Sequence, residues 1–349
     1  MESNDNPRNI KMDDFSKMLD INERIKFLLN FAVLAPSTHN TQPWLFKIRN
    51  SGCEIFYDPK LSLPEADVKQ RDLYISMGCC IENLSLASKY FGMFDSVDFG
   101  PFTEKHQVAV IKFREHPSEK NQDFREILNT IVARRNARGI FSGEKVPKDV
   151  VVNVSNVINE YLVDGIHVHW VEEKDNISSL ASLTAEGLKS AYYRPSFRKE
   201  MARWMNNSLT RKKEGIPGYA LKMPLFLSFI LPTMVKWFNI GNFLAKKNYQ
   251  SISSAPLIVV ITAQDSNPNI WLKVGRLAER LMLEFNSRNW QTSIFVASIE
   301  MGGLYKQVQK VVSSDETPQF LFVVGKIDYL HKLTPRHDIS VKIIKDTTR

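Results

Sequence analysis

Little cysteine, no leader-like start and no unbroken apolar run of bilayer length set the first limits on this chain. Its 349 residues hold three cysteines, Cys53, Cys79 and Cys80, two of them adjacent. They make a poor disulfide framework and lack CxxC metal spacing, so they read as reduced, buried thiols of a cytoplasmic protein. Met1 to Asp14 is polar, with no basic region ahead of an apolar stretch, which argues against a secretory signal. The apolar run Met223 to Phe238 is broken by Pro224 and Pro232 and carries Lys236. It is too short to span a bilayer, and no stable membrane insertion is expected. Acid is also scarce in one place. Between Ala185 and Gln250, twelve Lys and Arg face only Glu186, Glu200 and Glu214, so the net charge of +8 sits in that stretch. No nucleic-acid motif of interleaved basic and aromatic residues accompanies it, and it reads as a solvated insertion with no nucleic-acid partner.

What is present is enough apolar residue for a sizeable core, in a chain long enough for two compact units or two related pieces. Asp20-Ile-Asn-Glu23 predicts the capped start of a helix with Ile25, Leu28, Leu29 and Ala32 on one face, ending at Ala35-Pro36. Two short strands are expected at 44–48 and 54–57 about the turn Asn50-Ser-Gly52, then a long helix over 71–91 and a strand over 107–113. The second half offers helices over 124–132 and 150–162, a strand over 166–171, and buried strands at 256–262, 292–297 and 320–324. A helix over 271–288 lies between the first two of these. Setting Gly78 against Gly275 aligns Leu84 with Leu281 and Leu86 with Leu283, which suggests internal duplication.

Two blocks carry the chemistry. Ala35-Pro-Ser-Thr-His-Asn-Thr-Gln-Pro-Trp44 joins a helix to a strand. Its N–H groups and the side chains of Ser37, Thr38, Asn40 and Gln42 suit the polar edge of a planar heterocycle; they equally suit a well-capped turn. Arg134-Arg-Asn-Ala-Arg138-Gly-Ile-Phe141 follows a helix and puts three guanidinium groups within five residues. That pattern fits either an anion, through bidentate contacts, or a solvated basic helix end. His167 and His169 share a strand face with no acidic cluster beside them in sequence, so an exposed face is expected and no metal site.

The first block resembles the flavin loop A-P-S-x-x-N-x-Q-P-W of the nitroreductase superfamily, and the second its phosphate-gripping R-R-S-x-R/K-x-F. Arg71-Asp-Leu-Tyr-Ile-Ser-Met-Gly78 with Asn83-Leu84, Pro318 to Gly325 and Leu333-Thr-Pro-Arg336 resemble further family segments. In that family both motifs occur in one subunit, arginines first, and two subunits form two flavin sites. Here the order is reversed and each half keeps one motif, as in the internally duplicated, Acg-type twin proteins. The resemblance implies an α+β nitroreductase-like fold: two related halves, 1–122 and 123–349, packed as a pseudo-dimer within one monomer. A basic helical lid inserted at about 176–252 would cover one site.

By the same resemblance, one FMN is expected, with Arg134, Asn136, Arg138 and Arg336 at its phosphate. Pro36, Ser37, Thr38, Asn40 and Gln42 would meet the ring or ribityl chain. Glu300, Met301 and Gly302 fall where the family presents backbone N–H groups to the flavin. The implied activity is an FMN-dependent oxidoreductase that moves electrons from NAD(P)H to a nitroaromatic or quinone-like small molecule, with no catalytic side chain. The alternative is a flavin-binding or sequestering protein whose lid prevents turnover.

Overall fold

A computed structural model describes residues 7–161, 165–329 and 332–344. Helix α1 (Ile21–Ala32) starts where the Asp20 carboxylate accepts the N–H groups of Asn22 and Glu23, and it buries Ile25, Leu28, Leu29 and Ala32. Strands β1 (Trp44–Arg49) and β2 (Gly52–Tyr57) form a hairpin. Its turn residues, Asn50 and Ser51, take φ of 45° and 57°, matching the strands' twist. Helix α2 (Arg71–Tyr90) leads to β3 (Phe94–Asp98) and β4 (Gln107–Phe113). The four strands make one antiparallel sheet in the order β1-β2-β4-β3. β3 has no sequence signal of its own; Asp95, Ser96 and Asp98 are exposed, and pairing with β4 holds it as an edge strand.

The second half runs α3 (Arg125–Ala133), α4 (Lys148–Asn156) and β5 (Ile166–Val171). Then come α5 (Lys174–Tyr193), α6 (Pro195–Trp204), the two-residue strands β6 (Met205–Asn206) and β7 (Ile216–Pro217), α7 (Leu225–Trp237) and α8 (Gly241–Ser253). The chain continues through β8 (Leu257–Ala263), α9 (Pro268–Ser287), β9 (Gln291–Ile294), α10 (Ala297–Glu300), α11 (Tyr305–Val311) and β10 (Thr317–Gly325). The second sheet is also antiparallel, in the order β5-β8-β10-β9, so the fold is α+β. Two expectations need correction. The helix expected over 150–162 starts at Lys148 and tightens into a 3₁₀ segment from Val157 to Tyr161; Leu162 lies outside the described residues. The strand expected over 292–297 stops at Ile294, because Val296 turns helical and Ala297 opens α10.

The two sheets follow one plan: first, second, fourth and third strand in order, with a 20-residue helix between the second and third. Gly78 is the eighth residue of α2 and Gly275 the eighth of α9. A Cβ on Gly78 would overlap the Leu272 carbonyl, and one on Gly275 the Ile75 carbonyl, each three residues before the opposing glycine. Such reciprocal contact is what a two-fold crossing produces, and only glycine lets the backbones touch. Leu84, Leu281, Leu86 and Leu283 are fully buried around it. Both helices close alike. Gly92 and Asn289 take φ of 68° and 62°, while Met93 N–H bonds Ser88 O and Trp290 N–H bonds Phe285 O.

Candidate functional site

The loop after α1 is held in an unfavourable backbone shape. His39, Asn40 and Gln42 have φ of 54°, 57° and 54°, a region costly for residues with a Cβ unless surroundings enforce it. Ser37 Oγ accepts the Gln42 N–H at 2.9 Å, and Asn40 N–H bonds Ser37 O at 2.9 Å. The remaining polar atoms reach two distant segments. Asn40 Nδ2 donates to the carbonyls of Lys213, Gly215 and Pro335, and its Oδ1 accepts from Arg336 at 2.7 Å. Gln42 Nε2 donates to Lys213 O at 2.7 Å, and its Oε1 accepts the His337 N–H at 2.9 Å. Asn40 and Gln42 thus latch the insertion and the C-terminal segment onto the loop. Beside them, Thr38, Thr41, Pro43, Asp67 and Ser76 line a cavity of about 10 Å³, space for about one water molecule. Pro36 is half-buried next to Ser37.

The arginine block does not act as a unit. Arg134 caps α3 and is buried, its Nε 3.4 Å from Glu279 Oε1 on α9. Asn136 bonds the edge of β9 instead: its Oδ1 accepts Ile294 N–H at 2.9 Å and its Nδ2 donates to Ser293 Oγ. Arg138 lies beside His39 and Tyr192. Burial, then the Arg138 charge, pushes the His39 imidazole down to about 4, so the ring is neutral at physiological pH, with its Nε2 buried and unpartnered. The two blocks, some hundred residues apart in sequence, therefore come within electrostatic reach of each other at His39 and Arg138.

Arg336 completes the arrangement. Buried, it donates to Asn40 Oδ1, Thr334 Oγ1 and the carbonyls of Pro335, Leu34 and Ala35. It lies near Arg8 and Arg134; burial and those two charges disfavour its own charge. Arg8 is pushed down to about 9, first by burial and then by Arg134 and Arg135. Glu279 is the buried carboxylate facing this group, itself raised by burial against the pull of Arg134. Nε of both Arg134 and Arg336, and Oε2 of Glu279, have no hydrogen-bond partner. Glu279 and Arg8 carried no motif and His39 fills an unspecified position of the loop motif; packing of α3 on α9 brings Glu279 to Arg134.

A second cluster sits across the loop. Glu300 ends α10 and pairs with Arg71 at the start of α2, with Asp67 and Asp72 close by. Burial, then the Glu300 charge, raises Asp67 to about 6 and Asp72 well above its usual value. Oδ1 of both aspartates is buried and unpartnered. Met301 Sδ accepts from Arg194, whereas Gly302 is exposed with open space around it. His167 pairs with Glu316 and His169 with Thr262. Glu316 comes from the segment before β10 and was not foreseen beside the two histidines. Among the described residues no group of His, Cys, Asp and Glu could hold a metal ion. All three cysteines are free and buried.

No family model matches the chain. Two Mycobacterium tuberculosis proteins, of strains H37Rv and CDC 1551, each named "Putative NAD(P)H nitroreductase", are 29% identical over 125 residues. That match spans 36% of this chain and 36%, about a third, of the relatives' length. Among solved structures, the FMN-dependent nitroreductase NfnB of Mycobacterium smegmatis, in complex with NADPH, is 16% identical at a TM-score of 0.41. It overlaps 64% of this chain and 97% of that one. A nitroreductase with bound FMN from Desulfitobacterium hafniense is 13% identical at a TM-score of 0.39, over 61% and 93%.

Proposed function

We propose that the chain is an FMN-dependent oxidoreductase of nitroreductase type, with one flavin between its two halves. The observation that carries this is the buried guanidinium group around Glu279. Mutual repulsion among Arg8, Arg134 and Arg336 in a desolvated site is relieved by an anion of more than one charge, and a phosphate monoester supplies that. The Nε of Arg336, buried without a hydrogen-bond partner, is a donor of the required kind, and Arg134 stands beside Glu279 at 3.4 Å. Arg138 extends the cationic wall toward His39. Similarity over about a third of the length to proteins named as NAD(P)H nitroreductases supports the same reading.

FMN, when bound, supplies two-electron transfer between a nicotinamide and an electron-poor acceptor such as a nitroaromatic or quinone. The chain's own residues would do the following. Arg134, Arg336 and Arg138 hold the phosphate, and Asn136 fixes the β9 edge rather than the ligand. Neutral His39 offers a ring nitrogen to a polar group. Ser37 and Thr38 shape the loop that excludes water. Asp72, whose carboxyl is pushed up by burial and then by the Glu300 charge, lies near the loop. The reciprocal crossing at Gly78 and Gly275 supports duplicated halves of 1–122 and 123–349.

One observation favours the second reading, a flavin-binding protein with little turnover. The latch of Asn40 and Gln42 on Lys213 and Gly215 ties the insertion to the loop, so a ring would reach the loop past that insertion. The visible spectrum of purified protein under anaerobic NADH or NADPH separates the two. Bleaching of bound flavin within seconds supports the oxidoreductase; unchanged colour over an hour supports the binder. A colourless protein that cannot be reconstituted with FMN sinks both.

A further inference from the structure

Helix α7 is apolar nearly all round, yet it lies on the surface. Ser228, Leu231 and Val235 face inward, while Leu225, Phe226, Phe229, Ile230, Met234 and Trp237 are exposed. Phe238 and Phe243 extend the patch toward α8. Phe226 is 70% exposed and Trp237 66%, values at which six-membered and indole rings stand in water rather than on protein. A helix hydrophobic on all faces is normally interior, and a contiguous apolar face of this kind marks an interaction surface.

Charge identifies the occupant. Between Glu214 and Asp265 the chain holds no Asp or Glu, but it holds Lys222, Lys236, Lys246 and Lys247, all exposed. Lys236 Nζ lies over the Trp237 ring at 5.0 Å and Lys247 Nζ over Phe243 at 5.9 Å. On neighbouring α6, the one acid, Glu200, is turned to the N–H groups of Glu65 and Ala66. Lys189 and Lys246 line a groove of about 1070 Å³ between α5 and α8, whose wall includes Asn239 and Asn242 at the end of the patch; Glu186 is the acid there. A second copy placed on this face would set the lysines of α7 and α8 against one another, and those two helices carry no carboxylate to answer them. Aromatic rings flanked by lysines match the acyl boundary and headgroup layer of an anionic bilayer. The 13-residue α7 is about 20 Å long, and no described helix is long and apolar enough to cross a membrane, so it would lie in the plane.

We propose that the α7 face is a reversible docking surface for an anionic lipid bilayer. The latch brings it into relation with the candidate site: β7, which leads into α7, follows directly on Lys213 to Gly215, the segment held by Asn40 and Gln42. The test is flotation of the whole protein with vesicles of phosphatidylcholine, with and without 30 mol% phosphatidylserine. The expected result is flotation with the anionic vesicles alone, weakened at least about tenfold by raising salt or by K236E/K246E/K247E. F226S/F229S, both at exposed positions, should abolish flotation while the melting temperature holds. Bromolipid quenching of tryptophan should disappear in W237F, which reads the same contact without removing the ring. No flotation at low salt overturns the proposal, and so does equal flotation with neutral vesicles. Concentration-dependent dimerisation that F226S/F229S abolishes, without lipid binding, assigns the face to a second copy and overturns it as well.

Discussion

Each of the two central helices places a buried glutamate one turn beyond its crossing glycine: Glu82 on α2 and Glu279 on α9. Their surroundings differ. Glu82 accepts from the Tyr161 hydroxyl at one oxygen and from Arg276 Nε, 2.9 Å away, at the other. Nearby Arg280 is balanced by Glu284 and Glu160. That pocket pairs its charges with one another, while Arg280 Nη1 has no hydrogen-bond partner. Around Glu279 stand Arg134, Arg336 and Arg8, with Glu279 Oε2 unpartnered. Glu82 is met at both its oxygens and Glu279 keeps one without a hydrogen bond, from equivalent positions in one plan. This asymmetry is in keeping with the proposal of one flavin rather than two, with the Glu279 side as the candidate anion site.

The largest effect should come where the two helices are alike. G78A and G275A each force a methyl group into the opposing backbone and should destabilise by about 3 kcal/mol, equally within error, in urea denaturation. A clear inequality would break the two-fold reading. Next, R134A/R336A should weaken FMN binding by about a hundredfold or more in fluorescence titration, two charge-assisted contacts being lost. R276A, at the equivalent pocket around Glu82, should lower stability and leave FMN binding unchanged; equal loss in both would erase the distinction.

The carboxylate cluster makes a pH prediction. Asp67 is raised to about 6 and Asp72 is raised as well, so the folded state binds more protons than the unfolded chain above about pH 4. That stabilisation is full below the unfolded value and is lost as pH rises through the folded one. Stability should therefore fall between about pH 4 and 6, by roughly 2 kcal/mol from Asp67. D67N should flatten the profile, and a rise in that window would contradict it. Y161F, which strips one partner from Glu82, should cost about 1–2 kcal/mol by thermal melting without changing flavin retention. The smallest contrast is at the helix ends. N289G should shift stability by less than about 0.5 kcal/mol, because glycine prefers that left-handed position. G92N should destabilise more, since a Cβ there meets Ser118.

Much of the scaffold was legible in the residues. Asp20 capped α1 as its side-chain chemistry requires, and the hairpin at Asn50-Ser51 and the apolar stripes of α2 and α9 follow from local periodicity. The alignment of Gly78 with Gly275 was faint in sequence because two amphipathic helices share a period anyway. The contact itself is what distinguishes them. β3 was missed because its pattern is an edge strand's, and the end of β9 because β-branched Ile294 and aromatic Phe295 read as strand whichever way the chain turns.

The sequence by itself determined which chemistry is available: a polar loop of unusual composition, three arginines within five residues, three thiols, and a basic insertion with an apolar run inside it. These follow from residue type and short spacing, which act locally. Only the tertiary structure decided which groups face one another. Asn136 turned to a strand edge, Asn40 and Gln42 were engaged by the insertion, and Arg336 arrived from the far end of the chain to share a desolvated pocket with Arg134. It also placed the apolar residues of α7 outside, because α6 and β6 bury only one face of that helix. Burial and long-range charge depend on partners hundreds of residues away, and no local pattern encodes them.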